Sequence, residues 1–299
     1  MNNYKPKVSV VVIFYNKEKY IKECLDSIVS QPIDMQIICV DDCSTDNTPN
    51  ILKEYEKKYK NIKAIYNPQN QGTVIARYNG LCECNGEYVY FVDGDDRLMP
   101  NTLNRLYEKA FSQNADILEF CIDSNREDMY PHFKEDSAEG DMLKEFINGR
   151  MYNTLVNKLF SERIYHQAKE KINIDVKHDN YSDVIYFMLI FVCLAKNCYQ
   201  SEIVGYYYYK DRGMTNESVV SRLIHYCNFH TTYNALCDTF GGDIGFSFFR
   251  RIVCTQAIMA YMDIEEQNKE KYQKELYKLM TPEELHALIT ERISFKMQK

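Results

Sequence analysis

The chain has 299 residues, of which 45% are apolar and 26% charged, with a formal net charge of −7. That length and apolar content can bury a sizeable core, in one large domain with an extension, and the acidic balance leaves no basic footprint, which argues against nucleic acid as a partner. Eleven cysteines, an odd number spread through strands and helices, offer only Cys82-Glu83-Cys84 as a close pair. This gives neither a disulfide framework nor zinc-ligand spacing and predicts a reduced, cytoplasmic protein. No stretch reaches the roughly 18 to 20 apolar residues of a membrane span, and the run 184–195 reads as a buried helix. The opening KPKVSVVVIFY mimics a signal peptide but has no small-residue cleavage site after it, and it suits a first strand better.

Residues 8–14 (VSVVVIF) form a continuous apolar run, broken at Tyr15 and Asn16. Helical periodicity follows over 17–30 through Tyr20, Ile21, Leu25 and Ile28. A second run, 35–40, ends at Asp41-Asp42, and Ser44, Thr45 and Asp46 are good N-cap types for a helix over 48–59. A third strand, 62–66, leads through 67–72 into a helix that passes Tyr78. The fourth run, 88–92, delivers Asp93, Gly94, Asp95 and Asp96 into a turn before a helix that starts near Pro100. The order β-α-β-α-β-α-β implies a parallel sheet with right-handed crossovers, whose ligands bind beyond the carboxyl ends of the strands. Tyr15, Asp41, Asp42, Asp93 and Asp95 all fall at those ends.

Carboxylates are hard oxygen ligands that suit Mg²⁺ or Mn²⁺, and such an ion is usually held by one or two of them while a substrate diphosphate fills other positions. Acidic residues after a strand can equally form a turn and cap the next helix. The convergence of several strand tips on one rim favours the metal-diphosphate reading.

A helix over 101–112 and a strand over 115–122 come next, then a polar, turn-rich stretch, 123–140, which reads as a surface loop flanking the site. Residues 151–160 contain Asn157-Lys158-Leu159-Phe160, followed by a helix over 161–168. Ser182-Asp183 opens the apolar helix, and a strand over 199–209 ends in YYYYKDRGMT. From 216 onward the chain shows helical periodicity over 221–239, 246–262, 269–280 and 282–297, the last with a clear start at Thr281-Pro282-Glu283-Glu284. His225 and His230 stand five apart, off one helix face, so a metal pair is not expected there. The expected organisation is a first half, 1–115, a second half, 116–215, and a helical region, 216–299. That last region is the candidate surface for a peripheral membrane contact or for a second copy of the chain.

The segments VSVVVIFYNKEKYIKECLDSIVSQ, IICVDDCSTDNT, NQGTVIARYNGL and GEYVYFVDGDDRLMP together resemble the opening of family 2 nucleotide-sugar glycosyltransferases, over about the first 110 residues. The resemblance implies the GT-A fold, a Rossmann-like α/β arrangement with a mostly parallel sheet flanked by helices, here with a C-terminal helical extension. It implies an inverting transferase that takes a nucleoside diphosphate sugar, a UDP-sugar by preference, with a divalent metal (Mn²⁺ or Mg²⁺). The acceptor would be a hydroxyl of a glycan, a lipid-linked saccharide or a protein, in cell-surface polysaccharide or glycoconjugate synthesis at the cytoplasmic side, peripheral to the membrane. On the matching positions, Tyr15 would lie against the base and Asp42 would accept from the uracil imide with Asp41 beside it. Arg77 would lie near the nucleotide or organise its loop, Asp93 would take the ribose or assist the metal, and Asp95 would ligate the metal. Cys43 stands where the family commonly has Gly, and Asn157-Lys158-Leu159 resembles the family's Trp-Asn-Lys-Leu segment without its Trp.

An inverting transfer needs a base for the acceptor proton while the oxygen attacks the anomeric carbon opposite the leaving diphosphate. In the family this base is commonly the Asp of a Glu-Asp pair opening an apolar helix, which points to Asp183, with Ser182 in place of the Glu and Asp175 and Asp179 as competitors. Asp183 as a first-turn helix carboxylate is the plainer alternative. Lys210 and Arg212 match a segment whose basic residue can neutralise the leaving diphosphate. Two rivals remain in view. A nucleotidyltransferase normally needs a Gly-rich basic loop that 13–16 does not provide, and a non-catalytic sugar-nucleotide or glycan-binding protein on the same fold is favoured by Ser182.

Overall fold

The computed structural model describes residues 5–125, 134–175, 182–212, 219–243 and 266–287, with scattered positions between 245 and 264. The chain divides into two units, Met1–Ile174 with Phe187–Thr215, and Asp175–Tyr186 with Asn216–Lys299.

The first unit is built on four parallel strands, β1 (Val8–Phe14), β2 (Met35–Asp41), β3 (Ile62–Tyr66) and β4 (Tyr88–Asp93), joined through α1 (Ile21–Val29), α2 (Thr48–Lys58) and α3 (Thr73–Cys82). Strand β1 is apolar at six of its seven positions because both of its faces are covered, the usual state of a strand inside a parallel sheet. Val8, Val10, Val12 and Phe14 share a core with Ile21, Cys24, Leu25 and Ile28 of α1. On the other face α3 comes so close that a Cβ at Gly80 would lie 2.4 Å from the Val11 side chain. The helical spacing of Ile21, Leu25 and Ile28 in the sequence thus corresponds to one buried stripe.

Beyond β4 the sheet changes character. It contains nine strands among the described residues, in the order β3-β2-β1-β4, then β8 (Lys158–Ser161), β6 (Ile117–Ser124), β9 (Asn197–Tyr208) and β5 (Arg97–Leu98), with β7 (Asp136–Glu139) paired to β9. Strand β8 runs antiparallel to both β4 and β6, and β6 is parallel to β9. The sheet is therefore mixed but mostly parallel, as expected of the fold class. Three further helices complete this half: α4 (Leu103–Ser112), α5 (Met142–Ile147) and α6 (Glu162–Lys171). Helix α7 (Ser182–Leu194) follows, and its residues from Phe187 belong to the first unit, where Phe187 and Phe191 pack on Phe91. The stretch 123–140, expected to be a loop, supplies β7, whose pairing with β9 overrides its polar composition; residues 126–133 lie outside the described set.

Two polar devices fix this half. Gln31, 4% exposed, accepts from the backbone N–H groups of Thr102 and Leu103 (3.1 Å each) and donates to the carbonyls of Ser27 and Met99 (3.0 Å each), which satisfies orphan donors at the start of α4 and ties it to the end of α1. Lys158 and Glu119, both 0% exposed, form an ion pair at 2.9 Å. The Lys158 ammonium also donates to the carbonyls of Tyr152 and Thr154 and to Asn157 Oδ1, while Glu119 accepts from Tyr152 N–H and Gln200.

The second unit contains α8 (Val219–Phe240) and α9 (Glu266–Leu279), which pack together, and residues 282–287 are helical. The helix expected over 246–262 falls mostly outside the described residues. Among the described residues no helix is long and apolar enough to cross a membrane.

Candidate functional site

The carboxyl ends of β1, β2 and β4 meet because the register sets Phe14 beside Asp41 and Ile13 beside Asp93. The turn after β4 can close on this rim only with glycine at 94: a Cβ there would sit 2.3 Å from the Phe14 ring and 2.6 Å from the Ile13 carbonyl. Tyr15, 45% exposed, stands at the rim, and Asn16 and Cys43 beside it hold positive φ angles of 53° and 63°. Cys43 therefore takes a left-handed conformation that glycine adopts at no steric cost.

Asp41 is 2% exposed. One oxygen accepts from Ser44 N–H at 3.2 Å, and Oδ1 is buried with no hydrogen-bond partner among the described residues. Burial pushes its carboxyl above the usual range, against the hydrogen bonds from Ser44. Asp42 is used differently. Its oxygens accept from Asn67 Nδ2 (2.7 Å), Gln71 N–H (3.0 and 3.2 Å) and Gly72 N–H (2.8 Å), which organises the loop 67–72.

Asp93 and Asp95 each face a cation. Arg77, buried on α3, donates to Asp93 Oδ1 at 2.7 Å. The Lys17 ammonium lies 2.5 Å from Asp95 Oδ2 and 3.3 Å from the Arg212 carbonyl. Asp96, 1% exposed, accepts from the Tyr206 hydroxyl at 2.7 Å and from Tyr209 N–H at 2.8 Å. Burial first, and then the charges of Asp93 and Asp95, raise its carboxyl to about 8, while the two donors lower it. The Tyr206 hydroxyl also accepts from Asp93 N–H at 3.2 Å, so β9 is pinned to the Asp93–Asp96 turn from two sides.

The segment after β9 folds over the same turn. Arg212 donates to Glu23 Oε2 at 2.5 Å and to the Asp95 carbonyl at 3.4 Å, and its guanidinium lies 3.4 Å from the Tyr209 ring centre and 4.8 Å from that of Tyr20. Tyr209 donates to Glu23 Oε1 at 2.6 Å. Lys210 is half-buried, and its N–H donates to Asn125 Oδ1.

The first unit thus brings Tyr15, Asp41, Asp42, Arg77, Asp93, Asp95, Lys210 and Arg212 onto one unit. Asp183 lies in the second, on the first turn of α7 and 2% exposed; Asp175 is exposed on a turn, and Asp179 falls outside the described residues. Sequence reasoning did not single out Lys17, Glu23, Asn67, Tyr206 or Tyr209. Lys17 alone had a local signal, since it follows the Tyr15-Asn16 break at a strand tip. As a metal site the rim offers Asp95 and Asp93, hard oxygen donors already balanced by positive charge. That donor set fits an ion shared with a diphosphate; no group of three or more acidic, His or Cys side chains able to hold an ion alone occurs among the described residues.

The model of glycosyl transferase family 2 matches residues 9–176. A poly(ribitol-phosphate) beta-glucosyltransferase of Bacillus spizizenii is 43% identical over 115 residues, covering 37% of this chain and 18% of that protein. A cholesterol galactosyltransferase of Borreliella burgdorferi is 28% identical over 235 residues, covering 74% of this chain and 64% of its own length. The chain therefore spans less than two thirds of either relative. Among solved structures, S. aureus TarS 1-349 in complex with UDP superposes with a TM-score of 0.65 at 22% identity, over 94% of this chain and 83% of that one, and shares the fold.

Proposed function

Since the chain belongs to glycosyl transferase family 2, we propose that it is an inverting glycosyltransferase that moves one sugar from a nucleoside diphosphate sugar, a UDP-sugar in our reading, to a hydroxyl of a glycan, lipid-linked saccharide or protein acceptor. The process it serves is synthesis of a cell-surface polysaccharide or glycoconjugate, as the names of its relatives suggest. Free thiols such as Cys24, Cys39 and Cys84 suit work on the cytoplasmic side. The observation that carries the reading is the rim itself, where Asp41, Asp42, Asp93 and Asp95 collect at the carboxyl ends of parallel strands with Lys17, Arg77 and Arg212 among them.

In this reading Tyr15 presents an exposed ring for the base, and the loop 67–72, held by Asp42, walls that side. Asp93 and Asp95 would hold a divalent ion (Mn²⁺ or Mg²⁺), which, when bound, neutralises charge on the diphosphate. Arg212 and Lys210 supply positive charge for the same leaving group. Asp183 takes the acceptor proton as the acceptor oxygen bonds to the anomeric carbon and the bond from that carbon to the diphosphate oxygen breaks.

A thermal-shift screen with UDP, GDP, CDP and dTDP, each with and without Mn²⁺, tests the donor site without knowledge of the acceptor. The expected result is a rise in Tm with UDP and Mn²⁺ that Asp95→Ala abolishes; no shift with any nucleotide would sink the reading. Asp183→Asn should keep the nucleotide shift and lose about 10²- to 10⁴-fold in turnover. Full turnover in that variant would remove Asp183 from the role of base.

A further inference from the structure

Glu23 lies on α1, outside the strand-tip carboxylates, yet two donors from the segment after β9 converge on it. Its Oε1 accepts from the Tyr209 hydroxyl at 2.6 Å, and its Oε2 accepts from Arg212 at 2.5 Å. Arg97 of β5 donates to the same Tyr209 hydroxyl at 3.1 Å and stands 3.9 Å from Glu23. The Arg212 guanidinium is layered against the rings of Tyr209 and Tyr20, and it also donates to the carbonyl of Asp95. An arginine side chain loses much rotamer freedom when it is fixed, so a cation that must meet a diphosphate gains from being held in place beforehand. Glu23 and the two rings provide that hold while the guanidinium reaches the backbone carbonyl of Asp95.

We infer that Glu23 is a positioning residue for donor binding: it fixes Arg212 over the Asp93–Asp96 turn, so that the site selects a nucleoside diphosphate over the corresponding monophosphate. The inference rests on the donor-site reading above and acts wholly through Arg212.

The test is a double-mutant cycle read by calorimetric titration of the full chain with UDP and with UMP, Mn²⁺ present, on the native protein, Glu23→Gln, Arg212→Gln and the double variant. Glu23→Gln should weaken UDP binding about three- to tenfold, the size expected for loosening a partly exposed charge pair, and leave UMP binding unchanged. In the Arg212→Gln background, Glu23→Gln should cost nothing further. Equal UDP affinity in Glu23→Gln and native protein would overturn the inference, as would equal losses for UMP and UDP or losses that multiply in the double variant. If the native protein does not bind UDP, the UDP donor-site reading itself falls, and the native titration reveals this before any variant is made. Tm values that lie well above the titration temperature for all four proteins, measured by circular dichroism, show that folding does not produce the difference.

Discussion

Two of the places where charge is buried in this protein are built in opposite ways. At the rim, Asp95, Asp93 and Arg212 each face one opposite charge across a partly solvated gap: the side chains of Lys17 and Asp95 are 21% and 10% exposed, and those of Arg212 and Glu23 are 21% and 40% exposed. Between β6 and β8, Lys158 and Glu119 are both 0% exposed, and the ammonium is surrounded by two carbonyls, an amide oxygen and the carboxylate. Nothing remains there for a ligand to recruit. The Asp95 carboxylate can take a metal in place of the Lys17 ammonium at small cost, because water already screens part of the attraction, while Arg212 keeps Glu23 and turns its remaining N–H groups toward a diphosphate. The closed pair cannot exchange a partner, because removing either charge strands the other in a low-dielectric interior.

The sharpest way to break this comparison is to unbalance the closed pair. Lys158→Met should cost about 3–5 kcal/mol, because Glu119 would be left charged and buried, whereas the paired change Lys158→Met with Glu119→Leu should recover a large part of the loss. Urea unfolding of the three proteins decides it. If Lys158→Met cost no more than about 1 kcal/mol, the pair would be as displaceable as those of the rim, and the contrast would fail.

The rim was the part of the molecule most legible in the sequence, and the closed pair the least. Runs such as VSVVVIF mark both the strands and their ends, so Asp41, Asp42, Asp93 and Asp95 were placed by position alone. Lys158 carried a motif but no sign that its partner would be Glu119, since that contact depends on an antiparallel β6–β8 register 39 residues apart in the chain. Strand β7 was hidden for the same reason, its residues DSAE having neither alternation nor β-branched character and being held by β9. Glu23 and Arg212 are 189 residues apart, and no periodicity links them. Cys43, by contrast, was visible as a departure from glycine, and its φ of 63° gives that departure a physical meaning: the rim stores backbone strain beside its carboxylates. Cys43→Gly should therefore stabilise the protein by up to about 1 kcal/mol, the left-handed penalty less the entropy that glycine loses on folding, and Cys43→Val should destabilise it by about 1–2 kcal/mol. Denaturant midpoints for both variants measure this. Equal destabilisation by both would mean that the thiol, not the backbone, matters at this position.

The smallest expected effect is the stability contributed by the Glu23 pair, and pH separates it from the rest. Burial pushes the Glu23 carboxyl up, but the hydrogen bonds from Tyr209 and Arg212 and the nearby charges of Arg212 and Arg97 outweigh it and hold the group below its ordinary value. A carboxyl whose pKa is depressed on folding binds fewer protons in the native than in the unfolded state over the interval between the two values, so stability rises with pH across that interval. The contribution is fully present above the unfolded value of about 4.3 and fades as pH falls through the lower folded value. With the Glu23 side chain 40% exposed, solvent screening limits the effect to about 0.5 kcal/mol or less. Native protein should therefore exceed Glu23→Gln in stability by a small constant margin from pH 7 to pH 5, and the margin should shrink as pH falls below the unfolded value of about 4.3. Tm measured against pH at low ionic strength, and again in 1 M salt, checks both the sign and the exposure. A margin that survived high salt and low pH would show Glu23 acting as packing and not as a charge, and would remove it from the solvent-screened pairs of the rim.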